Sequence, residues 1–333
     1  MSKSTMTFCS VAILAAAAAF GQPKPAFEVA TVKPSPPMDV AKVAAALQAG
    51  GKMPIGANVD RVRAEYLYLD LRSLLSYAYG VKPYQISGPD WLATTRFDII
   101  AKMPDGSKKE DAPKMLQTLL EERFKLTTHR ASAEHPVMAL AVGKGGPKLK
   151  ASAEKPVPID ESAPLKPGES KLDGPDGPVR VKVDVTTGSS VIDMGLRGKM
   201  AYSVNPAKQS MHIDFSMTTM AGFADMVTQL FQQLGGTGGR QVVDMTGIEG
   251  NYDASIDLSL MEIIAMARAA GADIPAAPGA PAGKSDVPVA SDPGGSGTSL
   301  TDAVQAMGLK LESRKATVDQ LIVDHIEKTS TEN

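Results

Sequence analysis

Apolar residues recur along this chain in two rhythms, one at helical spacing and one alternating, and the switches between them mark its elements. Leu71, Leu74, Leu75 and Ala78 form one helical stripe, which Asp70 is placed to cap and Gly80 to end. Strand-like alternation precedes it at Phe27–Val32 and Arg61–Tyr68 and follows it at Phe97–Ala101, with a short apolar run at Tyr84–Ile86 between. Asp111-Ala-Pro113 opens a second helix with a buried face of Met115, Leu116, Leu119, Leu120 and Phe124. Two strands are then expected, Lys125–Arg130 and Val137–Val142, around a turn at His135-Pro136. A short Ala-rich helix is expected over Met38–Ala49, closed by Gly50-Gly51.

The plan of Leu69–Lys102 returns in Met220–Ser259, where Met220, Phe223, Val227, Leu230 and Phe231 make the helix face and Tyr252–Ile256 the strand. A further helix, capped by Thr298 or Ser299, runs into a strand that begins Lys310-Leu311, as the earlier one begins Lys125-Leu126, and Leu321–Ile326 supplies a terminal strand. This self-similarity predicts an α+β fold of two related units from an internal duplication, each an antiparallel or mixed sheet with two helices packed on one face. The units are expected at 22–149 and 178–333. Between them, 150–177 reads as a Pro-, Lys- and Glu-rich solvated linker, and 271–297 as a low-complexity Ala/Pro/Gly insertion.

Composition narrows the classes. At 333 residues, two domains are reasonable. A net charge of −2 provides no basic field for nucleic acid, and 5% aromatic residues provide no extended stacking platform. Residues 1–21 read as a secretory signal peptide: Lys3, the apolar run Val11–Phe20, and small residues Ala19 and Gly21 around a cleavage point. The apolar run is shorter than the roughly 20 residues that span a bilayer, so no integral span is expected after cleavage. Cys9 would leave with that segment, removing disulfide and thiolate chemistry from the mature chain. A secreted or periplasmic protein held by packing is expected.

Candidate chemistry is sparse. His129, Glu134 and His135 make a conceivable two-His, one-carboxylate metal set, although the spacing matches no zinc signature. His212 and His325 alternate with apolar neighbours and should point outward. Asp98, Asp244, Asp253 and Asp257 recur near strand ends, and a glycosidase would need two of them to converge on one cleft. Gly294-Gly-Ser-Gly297 lacks the strand-to-helix setting of a serine nucleophile, and Gly235–Gly239 reads as a helix exit rather than a phosphate cradle. Trp91 reads as a core anchor closing its turn, and the 17 methionines as core filling. No cofactor and no metal are expected.

Phe27-Glu-Val-Ala-Thr-Val-Lys-Pro-Ser35, Tyr84-Gln-Ile-Ser-Gly-Pro-Asp-Trp-Leu92, Arg96-Phe-Asp-Ile-Ile-Ala-Lys102, Leu119-Leu-Glu-Glu-Arg-Phe-Lys-Leu126 and Val243-Asp-Met-Thr-Gly-Ile-Glu-Gly-Asn-Tyr-Asp253 occur here in order. The set resembles a soil-associated acidobacterial family of secreted proteins of unknown function. Its domain is also found attached to sensor-type membrane peptidases, which implies extracytoplasmic binding or sensing. The expected function is a non-catalytic binding or interaction module with a protein or peptide partner in the cell envelope, taken by strand addition to an open sheet edge. The alternatives are an extracytoplasmic hydrolase using His129, His135 or paired residues such as Asp98 and Asp253, and a structural envelope protein.

Overall fold

Alternating sequence dominates the outcome: the computed structural model is 44% strand and 23% helix. It describes residues 24–38, 55–184, 186–205, 207–233, 241–261, 263–264 and 300–331. The expected signal at 1–21, the Ala-rich segment beyond Met38, the glycines at 235–239 and the insertion at 271–297 lie outside these residues.

The first half of the chain gives β1 (Val29–Pro34), β2 (Gly56–Val59), β3 (Arg63–Asp70), α1 (Leu71–Tyr79), β4 (Ile86–Ser87), β5 (Arg96–Lys102), α2 (Ala112–Phe124) and β6 (Thr127–Val142). β7 (Lys150–Ala151), β8 (Glu169–Gly174), β9 (Gly177–Asp184), β10 (Ser189–Asp193), β11 (Lys199–Asn205) and β12 (Ser210–Thr218) follow. The rest is α3 (Met220–Gln233), β13 (Val242–Asp244), β14 (Tyr252–Ser259), α4 (Leu300–Ala306) and β15 (Leu309–His325).

These strands form one 11-stranded sheet, ordered β1-β5-β3-β2-β8-β9-β10-β11-β12-β14-β7, and one four-stranded sheet, ordered β13-β6-β15-β4. That arrangement overturns the expected pair of α+β units with a sheet and two helices each. The large sheet runs without a break from the first half into the second, and the stretch 150–177, read as linker, carries β7 and β8, with β8 joining β2 to β9. The turn expected at His135-Pro136 is also absent, because β6 is a single strand of 16 residues. Proline is tolerated there because β13 pairs with β6 only from Met138 onward, which leaves Pro136 on an open edge.

The two cores show why the halves are not separate. One gathers Leu71, Leu74 and Leu75 of α1, Phe97 of β5 and Phe124 of α2, and is completed by Leu321, Val323 and Ile326 from the far end of the chain. The other gathers Ile213 and Phe215 of β12, Phe223 and Val227 of α3 and Val304 of α4, and takes Leu140 from β6. β6 and β15 pair antiparallel from Leu309↔Val142 to His325↔Thr127, so each long strand starts in one core and ends in the other. Periodicity identified the apolar faces; it carries no label for the element that covers them.

Local signals behave as chemistry dictates. Asp70 accepts from the Ser73 N–H at 2.8 Å and caps α1, and Gly80 ends that helix at φ 61°. Trp91 packs partly buried against the first core with the Lys328 ammonium 5.3 Å from its ring centre. The loop after α1 is tied to the other half: the Tyr84 hydroxyl donates to Asp225 of α3 at 2.6 Å, and Lys82 pairs with both Asp176 and Asp225.

Candidate functional site

The sequence candidates fall into two groups, and the structure gives each a different setting. Asp98 and Asp253 are bulge clamps. Antiparallel pairing slips between Tyr66 and Leu69 on β3 and again between Phe215 and Thr218 on β12, and each slip holds a non-glycine residue at φ 56°, Tyr68 and Met217. Asp98 Oδ1 accepts the Tyr68 N–H at 2.8 Å and the Ser35 hydroxyl at 2.6 Å; Asp253 Oδ1 accepts the Met217 N–H at 3.1 Å and the Ser152 hydroxyl at 2.6 Å. These bonds satisfy an N–H that the bulge removes from the ladder. Seven strands separate β5 from β14 in the sheet order, so the structure does not bring this pair into one cleft. Asp244 likewise serves its own turn, accepting the Thr246 N–H at 2.9 Å.

The histidines lie on strands. His129 Nδ1 stands 2.9 Å from both oxygens of Asp324, across from it on β15. His135 is six residues further along β6, about 20 Å at the usual rise per residue, and Glu134 points to the opposite face, 3.5 Å from Lys315. Strand geometry therefore keeps the three apart, and no group of three or more His, Cys, Asp or Glu is arranged to hold a metal ion among the described residues. His212 is the more constrained imidazole: Nδ1 is 2.8 Å from Asp257 and Nε2 3.1 Å from Asp214. Its pKa is raised above 6.5 by the hydrogen bond to Asp257, against the opposing effect of partial burial, with the charges of Asp214 and Asp257 adding to the rise. A raised pKa stabilises the fold fully below the unfolded value near 6.5, and this contribution fades as pH climbs through the native value. With 39% of the side chain exposed, the effect should stay below about 1 kcal/mol. An NMR titration of His212, with urea midpoints on either side of that rise, checks both the sign and the size.

What the sequence did not announce is the open edge of the strand that carries His129, Glu134 and His135. Met138 N–H donates to the Gln241 carbonyl and Met245 N–H to the Leu140 carbonyl, each at 2.8 Å, so even-numbered residues of β6 turn their backbone groups toward β13. Because β13 reaches only Met138 to Leu140, the N–H and C=O groups of Thr128, Arg130, Ser132 and Glu134 face outward with no strand beside them among the described residues. This open stretch is about 20 Å long, and Pro136 closes it. The Arg130 guanidinium donates to the Tyr79 carbonyl at 3.0 Å, which ties this end of the strand to the end of α1. The length of β6 was the missing signal: read as two short strands, it offered no such edge.

A mostly β protein whose two long paired strands join two cores is the class that this geometry defines. The chain belongs to the family described as protein of unknown function (DUF3738), whose profile matches residues 72–326. No curated protein and no solved structure matches the chain. No described helix is long and apolar enough to cross a membrane.

Proposed function

We propose that this protein is an exported, non-catalytic binding module that takes an extended peptide segment of a partner protein along the outer edge of β6. The open main chain from Thr128 to Glu134, in line with β13 and next to β15, is the observation that carries this reading. An added strand there gains main-chain hydrogen bonds, while the side chains along the edge, Thr128, Arg130, Ser132 and Glu134, are polar and favour an equally polar segment over an aggregating apolar one. The signal-like residues 1–21 and the resemblance to secreted acidobacterial proteins support an extracytoplasmic setting.

The test is selection of random peptides on immobilised residues 22–333, followed by hydrogen exchange. Selected peptides should slow exchange at the amides of Thr128, Arg130, Ser132 and Glu134. Ser132→Pro deletes one outward N–H and leaves the backbone bonds to β15 in place, but it also removes the Ser132 hydroxyl's bond to Asp319 of β15; it should abolish peptide binding while the ladder to β15 stays protected, and Ser132→Ala, which loses only the hydroxyl, should still bind. Peptides that bind equally well to Ser132→Pro and leave those amides exchanging freely would exclude this edge.

A further inference from the structure

Away from the β6 edge, a cavity of about 260 Å³ lies under the turn between β8 and β9, where Tyr66, Tyr77, Pro113, Pro175 and Pro178 share its lining with four charged residues. The β8–β9 turn and the first turn of α2 bring the prolines together, and proline presents ring CH surface with no N–H to point at a cation. Tyr77 of α1 is half-buried, and the buried Tyr66 of β3 packs on it edge to face, with ring centres 5.9 Å apart.

The charges of the lining do not cancel. Lys109 is its single cation, against Glu110, Glu161 and Asp173. Lys109 Nζ bonds to Asp173 at 2.5 Å and to Glu161 at 2.9 Å, and Lys171, outside the lining, bonds to Glu161 at 2.6 Å. The second Asp173 oxygen accepts the Val59 N–H at 2.7 Å. Two ammonium groups therefore balance two carboxylates, and Glu110 is left over: it is exposed at the rim, and its carboxylate pairs with nothing among the described residues. The phenols register the same negative field. Burial first, and then the charge of Asp173, pushes Tyr77 up to about 12, while burial, Tyr77 and Asp173, in that order, hold Tyr66 well above its ordinary value. Both stay neutral at physiological pH and add no charge of their own.

We propose that this cavity binds a small quaternary ammonium compound, its methyl groups seated against Tyr77 and the prolines and its charge held by the surplus carboxylate of Glu110. An aromatic face attracts a cation through the ring quadrupole, and low-dielectric walls concentrate the field of the carboxylates. What the wall lacks sets the class as firmly. A primary amine must replace the water it loses with acceptors, yet both Asp173 oxygens are engaged and Glu161 already serves two lysines. A quaternary ammonium has no N–H to satisfy. An anion meets an unpaired like charge at the rim. The volume exceeds that of a cavity that holds benzene, roughly 150 Å³, which leaves room for three methyl groups on nitrogen and a short tail.

The experiment follows ring signals of ¹³C-labelled tyrosines in residues 22–333 while choline, ethanolamine or 3,3-dimethylbutan-1-ol is added. The last has the shape of choline with carbon in place of the charged nitrogen. Choline should shift the Tyr66 and Tyr77 signals saturably, with a Kd in the millimolar range suited to so small a ligand. It should bind about tenfold more tightly than the neutral alcohol, and more tightly than ethanolamine, which keeps the charge but carries N–H groups. In Glu110→Gln, a surface change that should leave the fold intact, choline affinity should fall about threefold while that of the alcohol holds. No saturable shift at Tyr66 and Tyr77, either comparison ligand binding as tightly as choline, or choline affinity unchanged in Glu110→Gln would each overturn the assignment. The ranking of the three ligands is measured in the unaltered protein, so it decides the matter even if the variant does not fold.

Discussion

A chain truncated after Gly308 is expected not to fold, and neither is the isolated segment 22–149 that the sequence pattern marks as a unit. β15 and the residue after it place Leu321, Val323 and Ile326 in the first core at 1%, 9% and 8% exposure, and Leu309 in the second at 1%. At on the order of 1.5–3 kcal/mol for each buried aliphatic side chain, these four contribute on the order of 6–12 kcal/mol. A domain's entire net stability is about 5–15 kcal/mol. Truncation also strips β6 of its partner over its whole length and exposes a long unpaired edge. Near-ultraviolet circular dichroism and the dispersion of a ¹H–¹⁵N spectrum read the outcome. A dispersed spectrum from 22–149 alone would show that the first core closes without β15.

Gly308→Ala should be the most damaging single-atom addition in the described structure, lowering stability by about 3–5 kcal/mol. Gly308 sits between α4 and β15 at φ 74°, a conformation that disfavours any side chain. A Cβ there would run into the Gly146 carbonyl oxygen, with the Lys148 nitrogen 3.0 Å away. Both obstacles are backbone, so no side chain can rotate aside. Relief requires moving the 143–148 turn, which holds the Gly143 N–H on the Gly308 carbonyl and the Lys148 N–H on the Met307 carbonyl, each at 2.8 Å. Urea unfolding checks this, with Gly145→Ala as the comparison because a Cβ at Gly145 meets nothing within 4 Å.

Much of the local structure was legible. The stripe of Leu71, Leu74, Leu75 and Ala78, the Asp70 cap, the second helix ending at Phe124, and the alternating strands of Arg96–Lys102 and Tyr252–Ser259 follow from side-chain spacing and capping chemistry. The site was much less so. His129, Glu134 and His135 attracted attention as chemical groups, yet what they share is one strand, β6, whose open edge depends on its continuing through Pro136. Asp98 and Asp253 looked like paired acids and are the acceptors of two bulge amides, a role set by a slip in pairing that no spacing rule encodes. Asp173 was hidden in a stretch whose composition reads as solvent, although it is 8% exposed and bonded to Val59 and Lys109.

By itself the sequence determined which residues turn inward, where helices begin and end, and which chemistries lack their residues, because these depend on intervals of a few positions along the chain. Only the tertiary structure decided that β6 and β15 run between two cores, that β8 fuses the large sheet, and that one edge of β6 has no strand beside it among the described residues. Those outcomes rest on contacts between residues far apart in sequence. An apolar face gains the same free energy from any well-packed cover, so its periodicity cannot say which distant element will provide it.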